Sequence, residues 1–366
     1  MGKEEAVAKR LAARPEVAYA LSIPVAYTLR TPDDPYFPLQ WGLTKIGAPA
    51  AWEVSTGRSQ IIIAIVDTGI DLSHPDLVSR IWTNPGEIPD NGRDDDGNGK
   101  VDDVHGWHFY TLESDYDSLA MEDANVQDDN GHGTHVAGIA AAATDNGVGI
   151  AGVSWGATVM PVKVLDQAGL GWMDDLARGV LYAAQNGARV INISAGDTQP
   201  FAPLQEAIAY ARQRGVLTVC AAGNAGNPRP EDDGDNIYYP ARYPEAMAVA
   251  ATDSADQRAT FSSQGSEVSV AAPGVDILST YLGGIYQWGS GTSMAAPHVA
   301  GLAAILYSLH PEYGPTQIQR TIELAAHDVN AGTLPGKDSQ LGWGRIDASR
   351  AVSQRVYWYQ LPLCRG

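Results

Sequence analysis

Apolar residues along the chain fall into short blocks separated by glycine, proline and acidic turns, and two periodicities alternate among the blocks. Gln60-Ile61-Ile62-Ile63-Ala64-Ile65-Val66 is nearly continuous and β-branched, the pattern of a strand buried on both faces of a parallel sheet. Related runs predict strands at 158–164, 190–194, 216–220, 246–251 and 268–272. Helical patterns cover 136–143, 173–186 and 203–214, and Gly187 and Gly215 close the last two in the manner of helix-end glycines. A longer, largely buried helix carries Met294, Val299, Leu302, Ala303, Ile305 and Leu306 and ends near His310-Pro311, and 316–326 supplies a closing helix. Alternation of this kind implies a three-layer α/β/α fold around a mostly parallel sheet.

The long helix begins with chemistry. Gly291-Thr292-Ser293-Met294-Ala295-Ala296-Pro297-His298 sets Ser293 at its start, among small residues that let a substrate backbone come close. Unpaired N–H groups and the positive end of the helix dipole favour negative charge developing there. Taken alone, the residue reads equally as a capping serine. Asp67 ends the first predicted strand, at the edge where ligands of open α/β sheets sit, and Asn130-Gly131-His132-Gly133-Thr134-His135 places two histidines before a small-residue helix. Alone, these read as a turn aspartate and capping histidines. Together they supply what a serine hydroxyl lacks near neutral pH: a neighbouring base, and a carboxylate that fixes the tautomer of that base.

Three blocks, Ile65-Val66-Asp67-Thr68-Gly69-Ile70, His132-Gly133-Thr134-His135-Val136-Ala137-Gly138 and Gly291 to His298, resemble the subtilisin family of serine peptidases in type and order. The resemblance extends over about residues 34–352. It implies Ser293 as nucleophile, His132 as general base and then acid, and Asp67 as the orienting carboxylate. In Gly223-Asn224-Ala225-Gly226 it implies that the Asn224 amide joins the Ser293 N–H in holding the oxyanion. His132 is expected just outside its helix, with His135 one turn further in and packed within the fold. The implied protein is a secreted, monomeric endopeptidase of broad specificity that forms an acyl-enzyme and depends on calcium for stability. Its peptide substrate pairs as an added strand between Gly169-Leu170-Gly171-Trp172 and Ser194-Ala195-Gly196, where the small Ala195 replaces a frequent leucine and predicts enlarged pockets.

The resemblance also implies a calcium site. Thr31-Pro32-Asp33-Asp34-Pro35-Tyr36-Phe37 is similar to the mature amino terminus of thermitase-type members, which assigns Asp34, Asp76, the Asn146 side chain and the carbonyls of Thr144, Val148 and Ile150 as ligands. A second site is read from the residues themselves. Asp94-Asp95-Asp96-Gly97-Asn98-Gly99-Lys100-Val101-Asp102-Asp103 alternates oxygen-bearing side chains with glycines, as a loop wrapped on a hard cation does. Its predicted ligands are Asp94, Asp96, Asn98, Asp103 and the Lys100 carbonyl. His105 stands where an EF-hand has its glutamate, so this is no EF-hand, and a solvated acidic turn is the alternative.

The net charge of −19 suits cation binding and excludes nucleic acid as a partner, because phosphates would be repelled. No apolar run approaches the roughly 20 residues of a membrane helix. Two cysteines, Cys220 in an apolar strand and Cys364 in the tail, do not make a disulfide scaffold. An acidic segment, 228–237, carries Glu231, Asp232, Asp233 and Asp235 near the expected S1 region, and reads either as a preference for basic P1 residues or as a solvated loop. A scaffold protein would lack a triad member, a sedolisin would have glutamate as its base, and a lipase would show Gly-x-Ser-x-Gly around its serine.

The domain reading is 1–30 as propeptide remnant or extension, 31–352 as peptidase and 353–366 as tail. Residues 11–20 resemble the closing strand of a propeptide, a segment that in the family assists folding and occupies the cleft. The active protein is expected to cut itself between about Ala26 and Pro32. Mass spectrometry of active protein checks this, and full activity with an intact terminus at Met1 overturns it.

Overall fold

A computed structural model describes residues 10–14, 17, 30–114, 117–227 and 234–354. The chain divides into two units, Met1–Arg30 and Thr31–Gly366. In the first, residues 10–12 form a helical turn, so Leu11 and Ala12 are helical where a propeptide-like strand is expected. The rest of that strand (apart from 13, 14 and 17), residues 26–29, the carboxylates of Glu231, Asp232 and Asp233, and Cys364 lie outside the described residues.

The second unit is built on eight strands: β1 (Ile62–Asp67), β2 (Trp107–Ser114), β3 (Asp117–Asp123), β4 (Thr158–Lys163), β5 (Val190–Ile193), β6 (Leu217–Ala221), β7 (Met247–Thr252) and β8 (Val268–Pro273). They form one sheet in the order β3-β2-β4-β1-β5-β6-β7-β8. Every neighbouring pair is parallel except β2–β3, an antiparallel hairpin at the edge. A separate hairpin joins β9 (Ile277–Tyr281) to β10 (Ile285–Gly289). The helices among the described residues are α1 (Trp41–Lys45), α2 (Ala48–Trp52), α3 (His132–Ala141), α4 (Met173–Gln185), α5 (Ala202–Gln213), α6 (Thr292–Leu309), α7 (Pro315–Ala325) and α8 (Ala348–Ser353).

The apolar run of β1 is continuous because the strand feeds two cores. Ile63 and Ile65 pack into the cluster shared with α3 and α6, and Ala64 and Val66 into the cluster shared with α4 and α5. Nearly every residue of α6 is buried, so this helix is apolar all round instead of on one stripe. Cys220, buried in β6, is a free thiol whose pKa burial pushes up. The predicted strands and helices stand within a few residues of their expected bounds; the two hairpins carry no comparable signal. In β2 and β3 acidic residues interrupt the alternation, and β10 is too exposed to need one.

The order of the strands fixes where a cleft can form. β1 has β4 on one side and β5 on the other, so consecutive chain segments leave its carboxyl end in opposite directions. A crevice opens at such a switch point. Asp67 is the last residue of β1 and Ser194 directly follows β5.

Candidate active site

Asp67 is fully buried, and one carboxylate oxygen, Oδ1, accepts from the Thr68 N–H at 2.8 Å and from His132 Nδ1 at 2.7 Å. With Nδ1–H committed to Asp67, the lone pair of the neutral ring lies on Nε2. His132 is the first residue of α3 and not a residue outside the helix, as the sequence suggests. The turn into α3 is made by Gly131, at φ 103°, where a side chain would run into the Tyr281 ring.

Gly131 brings no side-chain cap to α3, and buried Asp128 takes over that work. Its Oδ1 accepts from the N–H groups of Asn130 (3.0 Å) and Gly131 (2.9 Å), and its Oδ2 from the N–H (3.0 Å) and hydroxyl (2.6 Å) of Thr134. Burial by itself pulls the His132 pKa down; the charge and hydrogen bond of Asp67, with the Asp128 charge, outweigh it and leave the pKa above the ordinary value. His135 behaves as expected of a packed residue. Its Nε2 lies 2.9 Å from the Gln287 carbonyl, and burial pushes its pKa down to about 4.

Ser293 is the second residue of α6. Pro297 stands four positions on and has no N–H, so the Ser293 carbonyl has no helical donor. The Ser194 hydroxyl replaces it at 3.1 Å, and in return the Ser293 hydroxyl donates to the Ser194 carbonyl at 3.1 Å. Asn192 in turn donates to the Ser194 hydroxyl at 2.9 Å. No hydrogen bond joins Ser293 to His132 among the described residues; catalytic contacts of this kind are commonly long before substrate arrives. Asn224 is tethered through its Oδ1, which accepts from both the N–H and the hydroxyl of Thr292 at 3.0 Å, leaving the amide N–H₂ as its uncommitted end.

His132 and Ser194 border a cavity of about 490 Å³ whose walls include Gly169 to Gly171 and Ser194 to Gly196, the two segments predicted to hold substrate. Buried Lys163 ties its floor together. Its ammonium donates to the carbonyls of Thr68 (2.6 Å) and Leu165 (3.0 Å), past the ends of β1 and β4, and to Asp129 (2.7 Å) in the approach to His132. Neither Lys163 nor Asp128 carries a local motif that announces such a role.

The predicted cation ligands divide. Asp34 and Asp76, both buried, meet the loop after α3: Asp34 accepts from the N–H groups of Asp145 (2.9 Å) and Asn146 (3.4 Å), and Asp76 from Asn146 Nδ2 (3.0 Å), the Ile150 N–H (2.9 Å) and the Tyr286 hydroxyl (3.0 Å). Burial pushes both carboxyls above their usual range, and the Asp76 charge adds to the effect on Asp34. Gly149, at φ +54°, leaves space that a Cβ would fill against Asp76 and Tyr286. Thr144 and Val148 lie in the same loop: the Thr144 hydroxyl donates to the Ala142 carbonyl and the Val148 N–H to Asn146 Oδ1.

The second loop differs from its predicted ligand set. Asp94 turns back on its own loop and accepts the N–H groups of Gly97, Asn98 and Gly99. The Asn98 Oδ1 accepts the Lys100 N–H at 2.7 Å. Asp96 and Asp103 do converge, and Glu87, which the loop pattern does not include, joins them. In the acidic segment, Asp235 faces Arg242 at 3.3 Å and is thereby engaged within the fold.

Comparison with known proteins agrees with this geometry. Residues 58–344 match the model of the subtilase family of peptidases. Thermitase of Thermoactinomyces vulgaris is 42% identical over 88% of this chain and 99% of its own length. The thermophilic serine proteinase of Bacillus sp. strain AK1 is 39% identical over 96% of this chain and 77% of its own. A solved protease of Pseudoalteromonas arctica superposes with a TM-score of 0.73 at 31% identity, covering 88% of this chain and 99% of that one.

The base expected at His132 works only when neutral, so a raised pKa there would set the acid limb of activity. The kcat/KM for peptide hydrolysis is expected to fall, as pH decreases, through a pKa above the ordinary histidine value of about 6.5. Asp128→Asn removes a negative charge that favours the protonated ring, so the limb moves to lower pH. A pH profile of both proteins checks this; coincident limbs refute it.

Proposed function

The chain belongs to the subtilase family of serine endopeptidases, and from that premise we propose that Asp67, His132 and Ser293 are its catalytic triad and Asn224 its oxyanion donor. The observation that carries the reading is the 2.7 Å Asp67–His132 hydrogen bond, made on the wall of a cleft that is also lined by Ser194, the residue whose carbonyl accepts from the Ser293 hydroxyl. In the first step the Ser293 hydroxyl passes its proton to His132 Nε2 as its oxygen adds to the scissile carbonyl. The oxyanion forms between the Asn224 amide and the Ser293 N–H, at a helix end that favours negative charge. His132, held as imidazolium beside Asp67, then protonates the departing amine. Water enters and gives a proton to His132 as its oxygen adds to the acyl carbonyl, and His132 then returns that proton to the Ser293 oxygen as the carboxylic acid departs. Substrate backbone pairs with Gly169 to Gly171 and Ser194 to Gly196, which gives affinity without strong side-chain choice and supports broad specificity.

The acidic pair Asp34 and Asp76, with Asn146 and the carbonyls of Thr144, Val148 and Ile150, is the proposed seat of a calcium ion that pins the loop after α3. The pair is buried, shares no cation among the described residues and offers only oxygen donors, which suits a hard ion. Secretion, a monomeric state and a propeptide released near residue 30 belong to the same reading.

Casein digestion tests the mechanism. A serine-directed fluorophosphonate is expected to abolish it, and Ser293→Ala to lower kcat by on the order of 10⁶-fold, the loss known for subtilisin; unchanged digestion in either case sinks the assignment. Calcium binding to the folded chain alone raises stability by mass action. Chelator is therefore expected to lower the Tm, and Asp76→Asn to reduce that shift. A Tm indifferent to chelator rules the ion out.

A further inference from the structure

Asn130 stands two residues before His132, half-buried on the wall of the catalytic cavity, and both its side chain and its backbone are engaged. Its side-chain oxygen accepts the His132 N–H at 3.1 Å, and its side-chain amide donates to the Gln167 carbonyl at 3.0 Å. The backbone N–H donates to Asp128 Oδ1 at 3.0 Å, and the backbone carbonyl accepts from the Tyr281 hydroxyl of β9 at 3.0 Å. The bond to the His132 N–H is a local turn of the kind asparagine readily makes. The bond to Gln167 is not local. It crosses 37 residues and reaches a separate segment of the cleft wall.

Gln167 belongs to a turn that is closed on itself. Asp166 Oδ1 accepts the N–H groups of Ala168 (2.8 Å) and Leu170 (2.9 Å). The Asp166 N–H donates to the Leu170 carbonyl at 2.8 Å and the Gly169 N–H to the Asp166 carbonyl at 2.9 Å. A hold on Gln167 is therefore also a hold on Gly169 and Leu170, where a substrate strand would pair. A Cβ placed on Gly169 would stand 3.7 Å from Asn130 Nδ2, so the amide lies directly against that segment. The other substrate segment is tied to the nucleophile in a comparable way, through the two hydrogen bonds between Ser194 and Ser293.

We propose that Asn130 is a positioning residue that couples the segment Gly169 to Gly171 to His132, an inference that rests on the assignment of His132 as the base. A peptide paired with that segment restrains the turn at 166–170, and the Asn130 side chain passes the restraint to the first residue of α3. The Tyr281 hydroxyl and Asp128 keep the Asn130 backbone from yielding instead. A misplacement of about 1 Å can cost on the order of 10²-fold in rate, so a base set by the substrate's own binding edge is worth having. The bond to Gln167 is what separates this role from helix capping, because a cap steadies α3 whether or not substrate is bound.

The test compares the full chain with Asn130→Ala and Asn130→Asp on two substrates: N-acetyl-tyrosine ethyl ester, one residue long, and a tetrapeptide anilide long enough to pair with Gly169 to Gly171. Fluorophosphonate titration counts working sites, so misfolding changes the count and not the kcat or KM per site. Rates are taken on the alkaline plateau, where an added carboxylate leaves His132 neutral. Asn130→Ala loses both side-chain holds, and is expected to lower kcat on both substrates and to raise KM about tenfold for the tetrapeptide alone. Asn130→Asp keeps an oxygen for the His132 N–H but sets its other oxygen against the Gln167 carbonyl. It is expected to recover most of the ester kcat while the tetrapeptide KM stays raised, and it decides the link to Gln167 if Asn130→Ala yields no titratable sites. A tetrapeptide KM equal to the parent's in Asn130→Asp overturns the coupling, as does a KM that rises equally on both substrates. A parent chain that takes up no fluorophosphonate overturns the catalytic assignment itself.

Discussion

The hydrogen bond from His132 to Asp67 joins the end of the central strand to the start of a helix 65 residues later, and the surrounding structure exists to hold those two ends together. A completely buried carboxylate tolerates this only if its backbone cannot drift. Lys163 provides that restraint by gripping the Thr68 carbonyl next door, and the Thr68 hydroxyl in turn accepts the Gly133 N–H at 2.9 Å. Asp128 fixes the same helix from the other side. Three segments far apart in sequence are thus clamped by charge-assisted hydrogen bonds within one dry region, where such bonds are strong and a missing partner is costly.

Much of this was legible in the chain because the fold writes it locally. A strand buried on both faces has to be apolar throughout, and β1 is; a helix buried all round has to be apolar on every side, and α6 is. Asp67, His132 and Ser293 stand at element ends, each within two residues of a glycine. Supporting residues leave no such trace. Lys163 ends an apolar strand and reaches the Thr68 carbonyl and Asp129 only through the tertiary fold, and Asp128 lies in an acidic run that does not announce its bonds to the start of α3. The loop at 94–103 shows the limit most clearly. An aspartate three residues before a glycine can bind its own loop or an ion, and Asp94 binds its own loop while Glu87, seven residues upstream, converges with Asp96 and Asp103.

The acidity of the chain also acquires an address. Of a net charge of −19, a part is concentrated in buried carboxylates set against one another, Asp34 with Asp76 and Glu87 with Asp103. Burial raises the pKa of Asp34, Asp76 and Asp103, so in the absence of ions each tends toward its neutral form. A cation bound at these oxygens would therefore compete with protons for them.

Pro297 deserves a final reckoning as a mechanical element. By withholding one N–H it detaches the carbonyl of Ser293 from the helix ladder and hands it to Ser194, which lies on the edge that a substrate strand would extend. The position of Ser293 is consequently tied to the segment after β5 as well as to the helix that bears it. A peptide paired with that segment would share one reference frame with the Ser293 hydroxyl, through the two hydrogen bonds that join Ser194 and Ser293.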